Sequence, residues 1–105
     1  MAKPKLSLVA NPTFKAKVAI PVPGDKAVDV EFTFKGRNRE AFKTYIASMD
    51  GREDVDLIMD AASGWDLEDA FDRDNVEKLT QNYMGSARAI FDKYVGELTQ
   101  ARLGN

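Results

Sequence analysis

The chain has 105 residues, the length of one ordinary domain, and its 44% hydrophobic and 30% charged residues are those of a globular protein with a modest core. No apolar run approaches the ~20 residues that cross a bilayer, and the basic start MAKPKLSLVANPTF lacks the apolar stretch and cleavage site of an export signal, so neither a membrane protein nor an exported one is expected. The net charge of −2 hides a division: residues 1–43 carry +5, residues 44–85 carry −8 and residues 86–105 carry +1.

Residues 1–12 read as a loosely held arm in which Leu6 and Leu8 are placed to add an edge strand. FKAKVAI (residues 14–20) alternates Phe14, Ala16, Val18 and Ile20 with Lys15 and Lys17, the period of a half-buried strand. VDVEFTF (residues 28–34) repeats it, with Val28, Val30, Phe32 and Phe34 inward. PVPGDKA between them has the proline and glycine of a turn, so residues 13–36 are expected as an antiparallel hairpin. Lys15 and Lys17 would then face Asp29 and Glu31 across the pair.

After Gly36 the period becomes that of a helix, and residues 38–102 read as a helical part. Asn38 is placed to cap a first helix that turns Ala41, Phe42, Tyr45, Ile46 and Met49 inward and ends near Asp50 and Gly51. A second, from about Asp54, buries Val55, Ile58, Met59 and Ala62 and stops at Gly64 as a C′ residue. Asp74 and Glu77 have capping-box spacing and open a third, with Val76, Leu79 and Tyr83 on one side. The fourth, residues 86–101, has the strongest amphipathic pattern: Ala87, Ile90, Phe91, Tyr94, Val95 and Leu98. The expected fold is therefore α+β, an N-terminal antiparallel β-hairpin packed on a C-terminal layer of three to four helices, as one domain over residues 1–105.

The chemistry available is narrow. With no cysteine and no histidine there is no thiol, no disulfide, neither of the usual zinc ligands nor the usual general base. GWDLEDAF (residues 64–71) puts the single tryptophan, Trp65, beside Asp66, Glu68 and Asp69, with Asp72, Asp74 and Glu77 following. Read as a calcium loop from Asp72, the third ligand position is Val76 and the glycine position is Glu77, so the pattern fails twice. A carboxylate pair for glycoside hydrolysis has no sugar-stacking set beside it. No catalytic, cofactor or metal residue is assigned, and no enzyme is expected. Acids at helix starts already have a role, since Asp72 and Asp74 complement the dipole of the third helix and Asp66 or Asp69 is placed to cap the turn before it.

Trp65, Leu67 and Phe71 admit two readings: core residues locking a loop, or an aromatic anchor with an acidic rim where a partner docks. Tyr83 and Tyr94 share that ambiguity. The basic first segment also leaves open a nucleic-acid-associated or regulatory domain, although its cations are spread along strands with few aromatics between them.

Taken together, NPTFKAKVAIPVPG, VEFTFKGRNRE, GWDLEDAF with the following NV, and NYMGSARAIFDKYVGELTQAR resemble, in their order and spacing, the small tail assembly chaperones of long-tailed bacteriophages. The resemblance covers nearly the whole chain. It implies a binding protein without cofactor, acting in the host cytoplasm, that holds the tape measure protein soluble and helps to recruit tail tube subunits, with neither nucleic acid nor membrane as partner and self-association left open. A longer frameshifted form would contact the tail tube protein, and Leu103-Gly104-Asn105 is a tail whose codons are able to form a slippery heptamer. The family commonly has proline where this chain has Met84, so a frayed or shifted start is expected for the last helix. No binding residue transfers from the family. From the residues themselves, the helical layer offers Phe42, Tyr45, Tyr94 and Leu98 as client surface, beside Trp65, Leu67 and Phe71.

Overall fold

A computed structural model describes residues 3–100. The alternating stretches form β1 (Thr13–Ile20) and β2 (Val28–Lys35), paired antiparallel with Phe14 opposite Phe34 and Ile20 opposite Val28. Their shared face buries Ala16, Val18 and Ile20 with Val30, Phe32 and Phe34, while Lys15 and Lys17 are exposed. The register sets Lys17 opposite Glu31 but Lys15 opposite Thr33 and Asp29 opposite Ala19, so one of the expected charge pairings is directly across. In the connection Asp25 N–H donates to Val22 O at 3.0 Å, with Pro23 and Gly24 between them and Gly24 at φ 76°. That positive angle at the third turn position is why glycine stands there and proline before it.

Four helices follow: α1 (Arg39–Ala47), α2 (Asp54–Ala61), α3 (Arg73–Asn82) and α4 (Ser86–Thr99). Between α2 and α3 lies a third strand, β3 (Ala62–Trp65), which pairs antiparallel with β2 to give the sheet order β1-β2-β3. The fold is α+β, and the strand corrects the expectation that the second helix runs to Gly64. Ala62 is already extended (φ −130°, ψ 157°), and Gly64 does not take the positive φ of a C′ glycine. In β3, Trp65 faces Phe32 and Ala62 faces Phe34, with the register slipping between Thr33 and Phe34. One extra residue lets Ala62 and Trp65, three apart, point to the same face, which is why no period-2 signal marks the strand.

The remaining helix ends show where local chemistry decides. Asn38 caps α1 as expected, Oδ1 accepting from Ala41 N–H at 2.8 Å. Only Tyr45 of α1 is buried, however; Ala41 is exposed and Ile46 is 41% exposed. Tyr45 is the one ring of the helix that is fully enclosed, while Phe42 and Met49 are half-buried, so the stripe is only partly covered. The cap of α3 is Asp72, whose Oδ1 accepts from Asn75 N–H at 2.9 Å. Asp74 falls inside the first turn, where it complements the dipole, and the expected box from Asp74 to Glu77 is not the cap. Helix α4 starts where periodicity puts it, after Gly85, with Met84 87% exposed in the turn before it. The expected end at Ala101 lies outside the described residues, as does Leu103-Gly104-Asn105.

The core lies between the sheet and α2, α3 and α4, with Phe32, Phe34, Ile58, Val76, Ile90 and Tyr94 fully buried. Residues 3–12 form no strand, and Leu6 and Leu8 are 84% and 96% exposed, which overturns the expected edge strand. Ser7 turns the arm on itself, its hydroxyl donating to Val9 O at 2.9 Å and accepting from Val9 N–H at 3.3 Å. The arm is tied down at its end, where Gly36 N–H donates to Pro12 O at 2.8 Å. A Cβ at Gly36 would sit 2.7 Å from Asn11 O, so only glycine permits this approach.

Candidate functional site

The seven candidate residues divide between the two ends of β2. At its C-terminal end, Tyr94 and Tyr45 are buried (0% and 2% exposed) and meet edge-on at 5.7 Å. Tyr94 Oη donates to Lys35 O at 2.7 Å and accepts from Arg37 Nη1 at 2.7 Å; Tyr45 Oη donates to Leu57 O at 2.8 Å. Arg37 lies 4.5 Å over the Tyr45 ring and also donates to Asp60 O and Asp60 Oδ1, each at 3.0 Å. Arg52 completes the cluster, Nη1 reaching Asp60 Oδ2 at 3.4 Å and Ser48 Oγ at 2.9 Å. These groups lock α1, α2 and α4 to the end of the sheet. Tyr45 and Tyr94 therefore present no surface to a partner in this structure, and their neighbours Phe42 and Leu98 are half-buried.

Burial raises both tyrosine pKa values, and for Tyr45 the nearby Tyr94 adds to the rise. For Arg37 burial acts to lower the pKa, but the Tyr94 hydroxyl and Asp60 outweigh it and the net shift is upward. A raised phenol pKa means that the folded state keeps a proton the unfolded chain gives up. The stability contribution is thus complete below about pH 10, the unfolded tyrosine value, and is lost as pH rises above it. Alkaline denaturation followed by circular dichroism is expected to begin above that pH, and Tyr45→Phe is expected to make the curve shallower. An unchanged curve in Tyr45→Phe would remove this tyrosine as a source of the alkaline loss.

At the other end of β2 the molecule opens into a groove of about 370 Å³. One wall is Val28 and Val30 of β2 with Ile20 and Val22; the other is Leu79 of α3 and its cap residue Tyr83. Trp65 and Leu67 close the base of the groove, and Asp69, Asn75, Lys78 and Asn82 supply its polar groups. Val28 is 53% exposed, Leu67 and Tyr83 are each 37% exposed, and Met84 stands beside Tyr83 in the chain. Val28 was expected to point into the core. It does share the inward face, but at this end of the sheet that face lines the groove and stays open to solvent. Neither Val28 nor Leu79 was singled out from the sequence as a binding residue, because strand or helix periodicity assigns them to the core equally well.

GWDLEDAF serves this groove structurally. Trp65 is half-buried, edge-on to Phe32 at 5.9 Å and to Phe71 at 5.1 Å, so Phe71 buttresses the indole from behind. Trp65 Nε1 donates to Asp69 O at 2.7 Å and closes the loop. Asp66 prolongs the β2–β3 ladder: its N–H donates to Glu31 O at 3.0 Å and its Oδ1 accepts from Glu31 N–H at 2.9 Å. Asn75 Nδ2 holds Ala70 O at 2.8 Å. Arg73 pairs with Asp56, whose carboxyl is thereby held below its usual pKa, and fastens α3 to α2. Among the described residues no three carboxylates converge as a metal site. The acids around Trp65 thus shape the loop, and Glu68 and Asp69 remain at its exposed rim.

Two of the basic residues of the first segment are engaged internally: Arg37 as above, and Lys35, whose Nζ donates to Met59 O at 3.3 Å. Among the described residues no helix is long and apolar enough to cross a membrane.

No curated protein and no solved structure matches the chain. The model of one protein family, described as phage tail assembly chaperone, matches residues 1–105. The blocks that carry the resemblance in sequence are thus part of a match over the full length, and the chain belongs to the phage tail assembly chaperone family, whose members act with other phage tail proteins in tail assembly.

Proposed function

We propose that the chain binds the tape measure protein, keeps it soluble in the host cytoplasm and helps to bring tail tube subunits to it, with the groove at the hairpin tip as the client surface. The observation that carries the chaperone role is the family match over the full chain. What supports the groove is its make-up: an apolar channel bounded by Val28, Trp65, Leu67, Leu79 and Tyr83, with amides and single charges at its margin. A long helical client with an apolar stripe aggregates when that stripe is bare. A groove of this kind takes two or three side chains from successive turns of such a helix, while the acidic residues of the neighbouring loop, Asp66, Glu68 and Asp69, help to keep the complex charged and soluble. Holding of this kind is stoichiometric, and release follows when tube subunits compete for the same stripe.

The test is co-expression of this chain with the tape measure protein, followed by the soluble yield of the client and the affinity of the purified pair. Val28→Asp and Leu67→Asp are expected to weaken binding at least tenfold, about 1.4 kcal/mol, by setting a charge against an apolar helix face. Both positions are open to solvent, so their melting temperatures should stay close to that of the parent. If both variants hold the client as well as the parent does, the groove is not the client surface, and Phe42 with Leu98 at the other end of β2 becomes the next pair to replace.

A further inference from the structure

Among the described residues eight large apolar side chains are exposed: Leu6, Leu8, Val9, Val28, Ile46, Leu67, Tyr83 and Met84. They are not scattered. Leu6, Leu8 and Val9 sit on the arm; Val28, Leu67 and Tyr83 line the groove, and Met84 follows Tyr83 in the chain. Only Ile46, on α1, belongs to neither. Clustered apolar exposure of this sort marks surfaces that meet a partner.

From this pairing of surfaces we propose that the arm of one copy seats Leu6 and Leu8 in the groove of a second copy. The two surfaces are chemically matched. The arm is basic as well as apolar, with Lys3 and Lys5 preceding Leu6. The loop at the base of the groove carries Asp66, Glu68 and Asp69, against Lys78 on the α3 side. Among the described residues the arm makes no strand with its own sheet, and its side-chain hydrogen bonds run between Ser7 and Val9.

Chain length decides which groove an arm is able to fill. The arm is anchored where Pro12 O meets Gly36 N–H, beside the start of β1. The groove runs from Trp65, which pairs with Phe32 and so stands level with Ala16, to Val28 and Ile20 at the opposite end of the hairpin, and the eight residues of β1 span about 26 Å at ~3.3 Å each. Leu8 stands four residues before Pro12 and reaches about 14 Å at most, while Leu6 reaches about 21 Å before any residue is spent on reversing direction. Once the arm has reversed, Leu8 falls short of the groove and Leu6 comes no further than its near edge at Trp65, so Leu67 and Val28 lie beyond the arm of their own chain. A second copy has no such limit, and two copies that exchange arms make the contact twice. Because this is the groove proposed above for the client, an exchanged arm would cover it until a client displaces the arm; the exchange itself is tested without any client.

The chain has no cysteine, so single cysteines report contacts cleanly. Leu8→Cys and Leu67→Cys chains, mixed under mild oxidation, are expected to form the mixed disulfide at least tenfold faster than Leu8→Cys forms it with Ala19→Cys, an exposed position on the outer face of β1. Carrying Leu8→Cys and Leu67→Cys on one chain should yield covalent dimers and larger species. A rapid intrachain bond there would overturn the proposal, as would equal rates in the two mixtures. In sedimentation the parent should associate with rising concentration, and a chain with Leu6→Asp and Leu8→Asp should remain monomeric. A parent that stays monomeric up to about 1 mM, or an association that survives the arm substitutions, also overturns it.

Discussion

Tyr94→Ala is expected to lower the unfolding free energy by about 3–5 kcal/mol, the cost of deleting a large side chain from a packed core. Tyr94 is fully buried and its ring is shared by three others: Phe34 at 5.1 Å, Tyr45 at 5.7 Å and Phe14 at 6.2 Å. Truncation opens a cavity where α1, α4 and both long strands meet. It also strips a hydrogen-bond partner from Lys35 O and from Arg37. Domains of this size have about 5–15 kcal/mol in total, so the variant should be substantially unfolded at 37 °C. Tyr94→Phe separates the two contributions. It keeps the ring and loses the hydroxyl, and about 1–2 kcal/mol is expected, because Arg37 retains both of its Asp60 bonds while the partly buried Lys35 carbonyl loses this donor. Urea titrations of the three chains give the comparison. Should Tyr94→Phe cost as much as Tyr94→Ala, the polar cluster and not ring packing would hold this end of the molecule.

How much of this was legible in the sequence follows from how local each signal is. The hairpin announces itself, since alternation in FKAKVAI and VDVEFTF and the Pro23-Gly24 turn need no information from elsewhere in the chain. Helix α4 is equally plain because its stripe contacts the core along its length. Strand β3 is not legible: Ala62 continues the helical stripe of α2, and the extra residue in ASGW erases the period of two that would betray a strand. It exists because β2 offers a free edge that Ala62, Gly64, Trp65 and the Asp66 carboxylate complete. Tyr45 and Tyr94 illustrate the same limit from the opposite side. An apolar stripe shows which face of a helix turns inward but not how far inward, and burial of the Tyr94 ring depends on Arg37 and Phe34, and that of Tyr45 on Tyr94, all distant in sequence. The groove is the hardest feature to foresee, because Val28 and Leu79 fit their stripes like core residues, yet Val28 is exposed and Leu79 only partly buried where sheet and α3 part.

Trp65 stands where both readings of GWDLEDAF meet, and its replacement should show both. The indole is packed between Phe32 and Phe71 on the inward face and closes the base of the groove on the other. Being half-buried, it should contribute less than a fully enclosed ring. Trp65→Ala is expected to cost about 2–3 kcal/mol, near the lower end for large aromatics, with a fall in Tm of roughly 10 °C or more for a domain of this length. Part of that is the loop, since Nε1 is what holds Asp69 O. Trp65→Phe isolates the loop contribution, keeping a ring and giving up the bond, for about 0.5–1.5 kcal/mol. Client affinity should fall in both variants beyond what the lost stability accounts for, measured at a temperature where each is fully folded. Because Trp65 is the single tryptophan, its emission is also a direct report of groove occupancy: a blue shift is expected when the client, or the arm of a second copy, excludes water from the indole face. A Trp65→Ala chain that melts with the parent would show that the ring carries no packing. One that is destabilised yet binds the client at full affinity when folded, with no spectral change in the parent on binding, would confine Trp65 to the core and move the docking surface away from this groove.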